Sequence, residues 1–223
     1  MTRSRSRGIA ALVPVKSLEQ GKNRLAPALA PSERATLVEA MLGDVLEVLM
    51  HTSGLDDVVV LSSDPSIVAL ALGFGAKYLP DRQEWGMNDA VRVGLQRFAS
   101  DGRWGGLVVP ADVPYISEAE IQMAISGLHA NEVVLARASR DGGTNLLGLA
   151  PIDAIAPCFG PHSFVKHLSA ARSAGFEPLI LPATGLARDI DLPSDLEPFG
   201  LGGAALRTRR FLAGKTSRQK KHG

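Results

Sequence analysis

Short apolar runs alternate with amphipathic segments along this chain, and that alternation limits what it can fold into. Residues 9–13, 58–61, 107–109, 133–135, 146–149 and 179–181 are short, aliphatic and β-capable, and 76–79 is a weaker run of the same kind. Helical spacing lies between them. Leu37, Met41, Val45 and Val48 share one face of a segment that Ser32 can cap and that reaches Met50. Residues 66–72 read as a short helix, and Val91, Leu95 and Phe98 form the inward face of a helix over 88–98. Ser117 with Glu120 makes a capping box for a helix through Leu128, and Ser163 can cap another that a glycine stop ends near Gly175. This order predicts a single-domain α/β, Rossmann-like fold, with a mostly parallel central sheet flanked by helices.

Composition narrows the class. Twenty-four basic and 23 acidic side chains leave a formal net charge of +1, without the basic field of a dedicated nucleic-acid binder. The single cysteine, Cys158, cannot form an internal disulfide and suits a reducing, cytoplasmic setting. No apolar run is long enough to span a bilayer. Residues 1–7 are a basic extension, and the apolar stretch after them is broken by Pro14 without a cleavage region, which argues against a signal peptide. The domain is expected over 8–201. Residues 202–223 are basic and Gly-containing, with one apolar cluster at Phe211 and Leu212, and are expected to form a disordered tail. The oligomeric state stays open, a homodimer included.

In a parallel sheet, ligands sit beyond the carboxyl ends of the strands, at a switch point. Polar groups collect there. Pro14 and Lys16 end the first strand, Ser63 follows the second, and Asp112 follows the 107–109 strand. The loop after Lys16 also carries Lys22 and Arg24, whose charges can reach phosphate oxygens, Arg24 as a bidentate fork. A solvated basic loop is the alternative. The glycine patterns of a P-loop or a dinucleotide fold are absent, so phosphate binding here has to rest on side-chain charge. Asp112, between Pro110 and Pro114, suits a divalent metal such as Mg²⁺, which takes one or two carboxylates with phosphate oxygens and water. Backbone hydrogen bonding within a proline turn would also explain it. Asp191 is the candidate second ligand, on the same face as Asp189 if the segment is extended; capping or pairing with Arg188 is its alternative.

Two further turns look anion-holding. Gly142-Gly143-Thr144-Asn145 can aim amides and a hydroxyl at an anion, or can be a plain hairpin turn. Ser163 at a helix start offers free N–H groups, or only a cap. Asn88 can read a nucleobase edge, or cap. His162 and His167 are set aside as structural. No nucleophile–base pair of Ser/His/Asp or Cys/His type is present. None is needed if the acceptor is a phosphate ester, whose second pKa near 6 leaves it ionised at neutral pH. Lys22, Arg24 and Asp112 are then the catalytic candidates. They act by positioning and charge stabilisation on two anions.

The pattern VPVK…KxRL, PADVP, GGTN, FGPxSFxxHLxxAxxxGF and DIDLPSDL resembles the 2-phospho-L-lactate guanylyltransferase family of coenzyme F(420) biosynthesis, from Ala10 to Leu196. The resemblance implies a glycosyltransferase-A-type nucleotidyltransferase fold. It implies GMP transfer from GTP, with Mg²⁺, to a phosphorylated three-carbon acid: 2-phospho-L-lactate, 3-phospho-D-glycerate or phosphoenolpyruvate. The full GGTN leans toward the first two. Carried over, Thr144, Gly160 and Ser163 match positions that hold the acid, Asp112 and Asp191 the Mg²⁺ ligands, and Lys16, Lys22 and Arg24 the triphosphate loop. The glycine-rich loop of sugar and molybdopterin nucleotidyltransferases is missing, which sets those relatives second. A noncatalytic GTP-binding regulator on the same fold is the alternative from another class.

Overall fold

The central strands are buried on both faces, which is why they read as continuous apolar runs. In β1 (Ile9–Pro14), Ile9, Ala11 and Val13 enter one hydrophobic layer while Ala10 and Leu12 enter the other. The computed structural model describes residues 8–16, 18, 22–82, 86–182, 184–197 and 205–219. The expected extension at 1–7, parts of the cationic loop (17 and 19–21) and the ends of the expected tail (202–204 and 220–223) lie outside them.

After β1, α1 (Pro31–His51) leads to β2 (Leu55–Leu61), α2 (Pro65–Gly73) and β3 (Lys77–Leu79). Then come α3 (Met87–Ser100), β4 (Gly105–Val108), α4 (Glu118–Leu128), β5 (Val133–Arg137), β6 (Thr144–Leu149), α5 (Ser163–Ser173), β7 (Leu179–Ile180) and α6 (Leu206–Gln219). The sheet order is β3-β2-β1-β4-β6-β5-β7. Among the described strands, β6 alone runs against its neighbours, pairing antiparallel with both β4 and β5. Helices cover both faces: α1, α2 and α4 share one layer, α3 and α5 the other. The order reverses between β1 and β4, so the carboxyl ends of these two strands flank the crevice where ligands bind in such sheets.

Helix starts differ from the expectation by a residue or two. Pro31 and Pro65 stand at the first helical positions, where the fixed φ and missing N–H of proline fit. Ser32 and Ser66 therefore fall just inside their helices. Asp64 caps α2 instead, accepting from the Ser66 N–H at 3.0 Å. The Ser117–Glu120 capping box is present as expected. Glu120 does more than cap. It is 6% exposed, and one carboxylate oxygen accepts the N–H groups of Thr184, Gly185 and Leu186 at 2.8, 2.9 and 3.1 Å. That grip fixes the segment leading to Asp189 and Asp191. Gly185 passes so close to Tyr115 that a Cβ there would overlap the Tyr115 carbonyl.

The main departure is α6, in place of the expected disordered tail. Asp44, 4% exposed in the middle of α1, accepts the N–H groups of Arg207 and Thr208 at 3.0 and 2.8 Å and so caps α6 from 163 and 164 residues away. Leu212 is 2% exposed, Arg207 lies over the Phe74 ring, and Lys215 pairs with Glu33. A charged cap on another helix, plus one buried leucine, holds a segment whose composition reads as unstructured. Leu212→Ala should therefore cost roughly 2–4 kcal/mol and lower the melting temperature by several degrees. A melting curve superimposable on the wild type would show that α6 contributes no packing.

Candidate active site

The loop after β1 returns over the sheet edge because its ends are tied. The Leu18 N–H donates to Asp64 at 2.9 Å, and Lys22 takes a left-handed conformation (φ 54°) before a single 3-10 turn over Asn23–Leu25. Leu25 is fully buried and anchors that turn. Lys22 is thereby aimed inward. Its ammonium lies 2.6 Å from Asp112 and 3.4 Å from Asp191, and Arg24 reaches Asp191 at 2.9 Å. Burial works against the Lys22 charge, but Asp112 and then Asp191 outweigh it and hold its pKa above the ordinary lysine value. The Ile190 N–H donates to the Asp112 carbonyl at 3.0 Å, fixing the two carboxylate-bearing segments side by side. Asp195 caps the turn beyond, accepting the Asp191 and Leu192 N–H groups at 3.1 and 2.8 Å.

These groups line a cleft of about 330 Å³ formed by Pro14, Lys16, Lys22, Met87, Asp112 and Asp191, among others. That volume is at the low end of small-molecule sites. The sequence-predicted Pro14, Lys16, Lys22, Asp112 and Asp191 thus come together, with Arg24 joined through Asp191. Lys16 is exposed and makes no ion pair among the described residues, unlike Lys22 and Arg24. A larger cavity of about 1170 Å³, with Arg92, Trp104 and Ile152 in its wall, contains none of the predicted residues.

Two nucleotide-side residues do not join the cleft. The Ser63 hydroxyl donates to the Asp81 carbonyl. Asn88 neither caps α3, which Gly86 does, nor offers a free amide. Its Nδ2 donates to the Phe159 carbonyl at 3.1 Å and its Oδ1 accepts the Phe159 N–H at 2.6 Å. Its amide is committed to the Phe159–Gly160 loop, not to a base edge.

Thr144, Gly160 and Ser163 gather on the other side. The GGTN turn joins β5 to β6 as a hairpin, closed by the Gly143 N–H to Asp141 at 2.8 Å, and Gly142 takes a positive φ of 71°. Ser163 is the first residue of α5, preceded by a left-handed His162. Its N–H and that of Phe164 are not free as expected: they donate to the Gly160 and Gly142 carbonyls, each at 3.1 Å. Ser163 is 2% exposed, and its hydroxyl has no hydrogen-bond partner among the described residues. Thr144, 4% exposed, lies 2.9 Å from Nδ1 of the fully buried His167. Asn145 links the halves, donating to Asp189 at 3.3 Å. Burial first, and the nearby Asp112 charge second, raise the Asp189 pKa above the ordinary carboxylate value. Sequence reasoning passed over Asn145 and Asp189, and set His167 aside, although all three stand inside or beside the motifs it used.

The family model described as "Guanylyl transferase CofC like" matches residues 9–218. The chain belongs to this family. Among its relatives is a phosphoenolpyruvate guanylyltransferase of Sphaerobacter thermophilus, 41% identical over 187 residues that cover 84% of this chain and 90% of the relative. A 3-phospho-D-glycerate guanylyltransferase of Phenylobacterium zucineum is 33% identical over 211 residues, 93% and 97% of the two chains. A solved structure described as a nucleotide-diphospho-sugar transferase of Desulfovibrio desulfuricans G20 superposes with a TM-score of 0.75 at 20% identity. It covers 96% of this chain and 98% of its own, a likeness of fold alone. The CofC-like chain is thus a nucleotidyltransferase on the expected α/β fold. Among its described residues no helix is long and apolar enough to cross a membrane.

His167 also gives this site a pH signature. Burial, with a smaller push from Lys166, lowers its pKa from the ordinary 6.5 to about 4. The unfolded chain therefore binds a proton that the folded one refuses. The stabilisation is complete above pH 6.5 and is lost progressively as pH falls to about 4. The loss amounts to roughly 3 kcal/mol. His167→Gln should remove that part of the acid slope, as read by denaturant unfolding at several pH values. Parallel slopes for the two proteins would show that His167 titrates normally in the fold.

Proposed function

We propose that the protein transfers GMP from GTP to a phosphorylated three-carbon acid and releases pyrophosphate, as a step in coenzyme F(420) biosynthesis. The observation that carries the reading is the Lys22 ammonium held between Asp112 and Asp191 in a cleft that Lys16 also lines. The relatives' names supply the guanine nucleotide and the acid. Phosphoenolpyruvate is the first acid to test, because the 41% identical relative is named for it, ahead of the phospholactate and phosphoglycerate that the GGTN turn favours.

Mg²⁺ fits the same carboxylate pair. Asp112 and Asp191 already share a cation, the Lys22 ammonium. Mg²⁺ takes one or two carboxylates and leaves the rest of its shell to phosphate and water. When bound, it would neutralise charge on the phosphates. Lys16, Lys22 and Arg24 then hold the triphosphate, and Thr144 and Ser163 hold the acid. The acid's phosphate oxygen forms a bond to the α-phosphorus of GTP as the bond from that phosphorus to the bridging oxygen breaks. Pyrophosphate leaves with the electron pair. No side chain has to remove a proton, because the attacking phosphate is already ionised.

Pyrophosphate release should follow mixing with GTP, phosphoenolpyruvate and Mg²⁺. Asp112→Asn should lower kcat about 100-fold or more, a loss of ~2.7 kcal/mol of transition-state stabilisation. It should also weaken Mn²⁺ binding followed by electron paramagnetic resonance. Folded wild-type protein that binds GTP but releases no pyrophosphate with any of the three acids would point to the regulator instead.

A further inference from the structure

His167 is the group the chemistry above leaves unused, yet it is fully buried at the junction of three segments of the acid side. Its Nε2 lies 2.8 Å from the Cys158 amide nitrogen and its Nδ1 lies 2.9 Å from the Thr144 hydroxyl. The Phe159 ring packs edge-on against the imidazole at 5.0 Å, and Asn88 clamps the Phe159 backbone from α3. The ring therefore has little freedom to turn.

These contacts decide where its proton sits. A backbone N–H can only donate, so Nε2 faces Cys158 with its lone pair. An imidazole protonated on Nε2, neutral or charged, would set two donors head to head at that distance. The one proton of the neutral ring is then on Nδ1, and Nδ1–H donates to the Thr144 oxygen. With its oxygen engaged as an acceptor, the Thr144 hydroxyl must point its own proton at something else. Thr144 is 4% exposed, and among the described residues its hydroxyl has no other partner. The Ser163 hydroxyl beside the Gly160 turn is likewise without a protein partner among them.

We infer that His167 is a positioning residue. Held as the Nδ1–H tautomer by the Cys158 amide, it turns the Thr144 hydroxyl from a free rotor into a fixed donor for an anionic oxygen of the acid. The inference deepens the proposed function and rests on its assignment of Thr144 to the acid. It adds how a neutral hydroxyl contributes to selecting an anion here, beside Arg137, which stands opposite Thr144 on the neighbouring strand. Carboxylate and phosphate oxygens accept only, so a hydroxyl fixed as a donor matches them, while a ligand that offers an N–H or O–H meets a second donor.

Two isosteric changes separate the contacts. The Asn side-chain amide can stand in for Nδ1–H toward Thr144 but does not reach Cys158. The Gln carbonyl can stand in for Nε2 toward Cys158 without fixing the threonine. His167→Asn should keep the KM for phosphoenolpyruvate within a few-fold of wild type, and His167→Gln should raise it about 10-fold or more. Neither should move the KM for GTP. A purely structural His167 would instead make both variants lose kcat in step with their melting temperatures. Nitrogen-15 NMR of histidine-labelled wild-type protein reads the tautomer without any variant, and should find the Nδ1-protonated form. An Nε2-protonated ring, or a KM for phosphoenolpyruvate unmoved in His167→Gln beside an active wild type, would overturn the inference alone. Absence of turnover by the wild type with every acid would instead strike the proposed function, and the inference with it, whatever the tautomer.

Discussion

A buried ammonium cannot stand alone, and Lys22 organises this molecule around that requirement. It is 10% exposed and finds its counter-charges 90 and 169 residues away in sequence, on Asp112 and Asp191. Removing either carboxylate would leave a partly buried charge under-compensated, a far larger loss than a surface ion pair. The loop after β1, the turn after β4 and the segment after β7 are therefore held against one another by charge. The backbone bond from Ile190 to the Asp112 carbonyl repeats the connection without charge. The sheet makes this possible, because β1 and β4 are hydrogen-bonded neighbours whose carboxyl ends open on the same crevice.

The strands were legible because a sheet covered on both faces needs apolar residues at every position, and helices declared themselves by spacing. Local capping was less legible. Serine is a good cap, but proline just before it fixes φ for a first helical position, so α1 starts at Pro31 where Ser32 reads as the cap, and α2 at Pro65, one residue before the expected 66. Helix α6 was not legible. Its apolar contacts are few, Leu212 with Phe211 at the core edge, and the group that caps it, Asp44, looks like an ordinary mid-helix acid in the sequence. A long-range cap leaves no trace in a local window.

In the candidate site, strand ends located Lys16, Lys22, Asp112 and Asp191, since position relative to a parallel sheet is a property of the pattern. What the pattern did not hold was how these groups pair. Lys22 and Arg24 were expected to face phosphates and the aspartates a metal, and in the free protein the two sets neutralise each other. Asn88 shows the same limit. Its position suggested a base-reading amide, but the Phe159 backbone claims both of its polar atoms. The role of His167 depends on which ring nitrogen meets a backbone N–H, and only three-dimensional neighbours decide that.

On the proposed reading, the two halves of the crevice hold their anions differently. The side proposed for the nucleotide carries full charges, Lys22 and Arg24, which Asp112 and Asp191 neutralise in the free protein. The side proposed for the acid offers hydroxyl donors, with Thr144 and Ser163 beside an uncharged His167 and Arg137 on the neighbouring strand. Full charges suit a triphosphate, whose oxygens outnumber any fixed set of donors and whose charge dominates its binding. A small acid offers fewer contacts, and a donor of fixed direction discriminates among such ligands better than a mobile charge. Asn145 and Asp189 stand between the halves, and Asp189 feels both burial and the charge of Asp112.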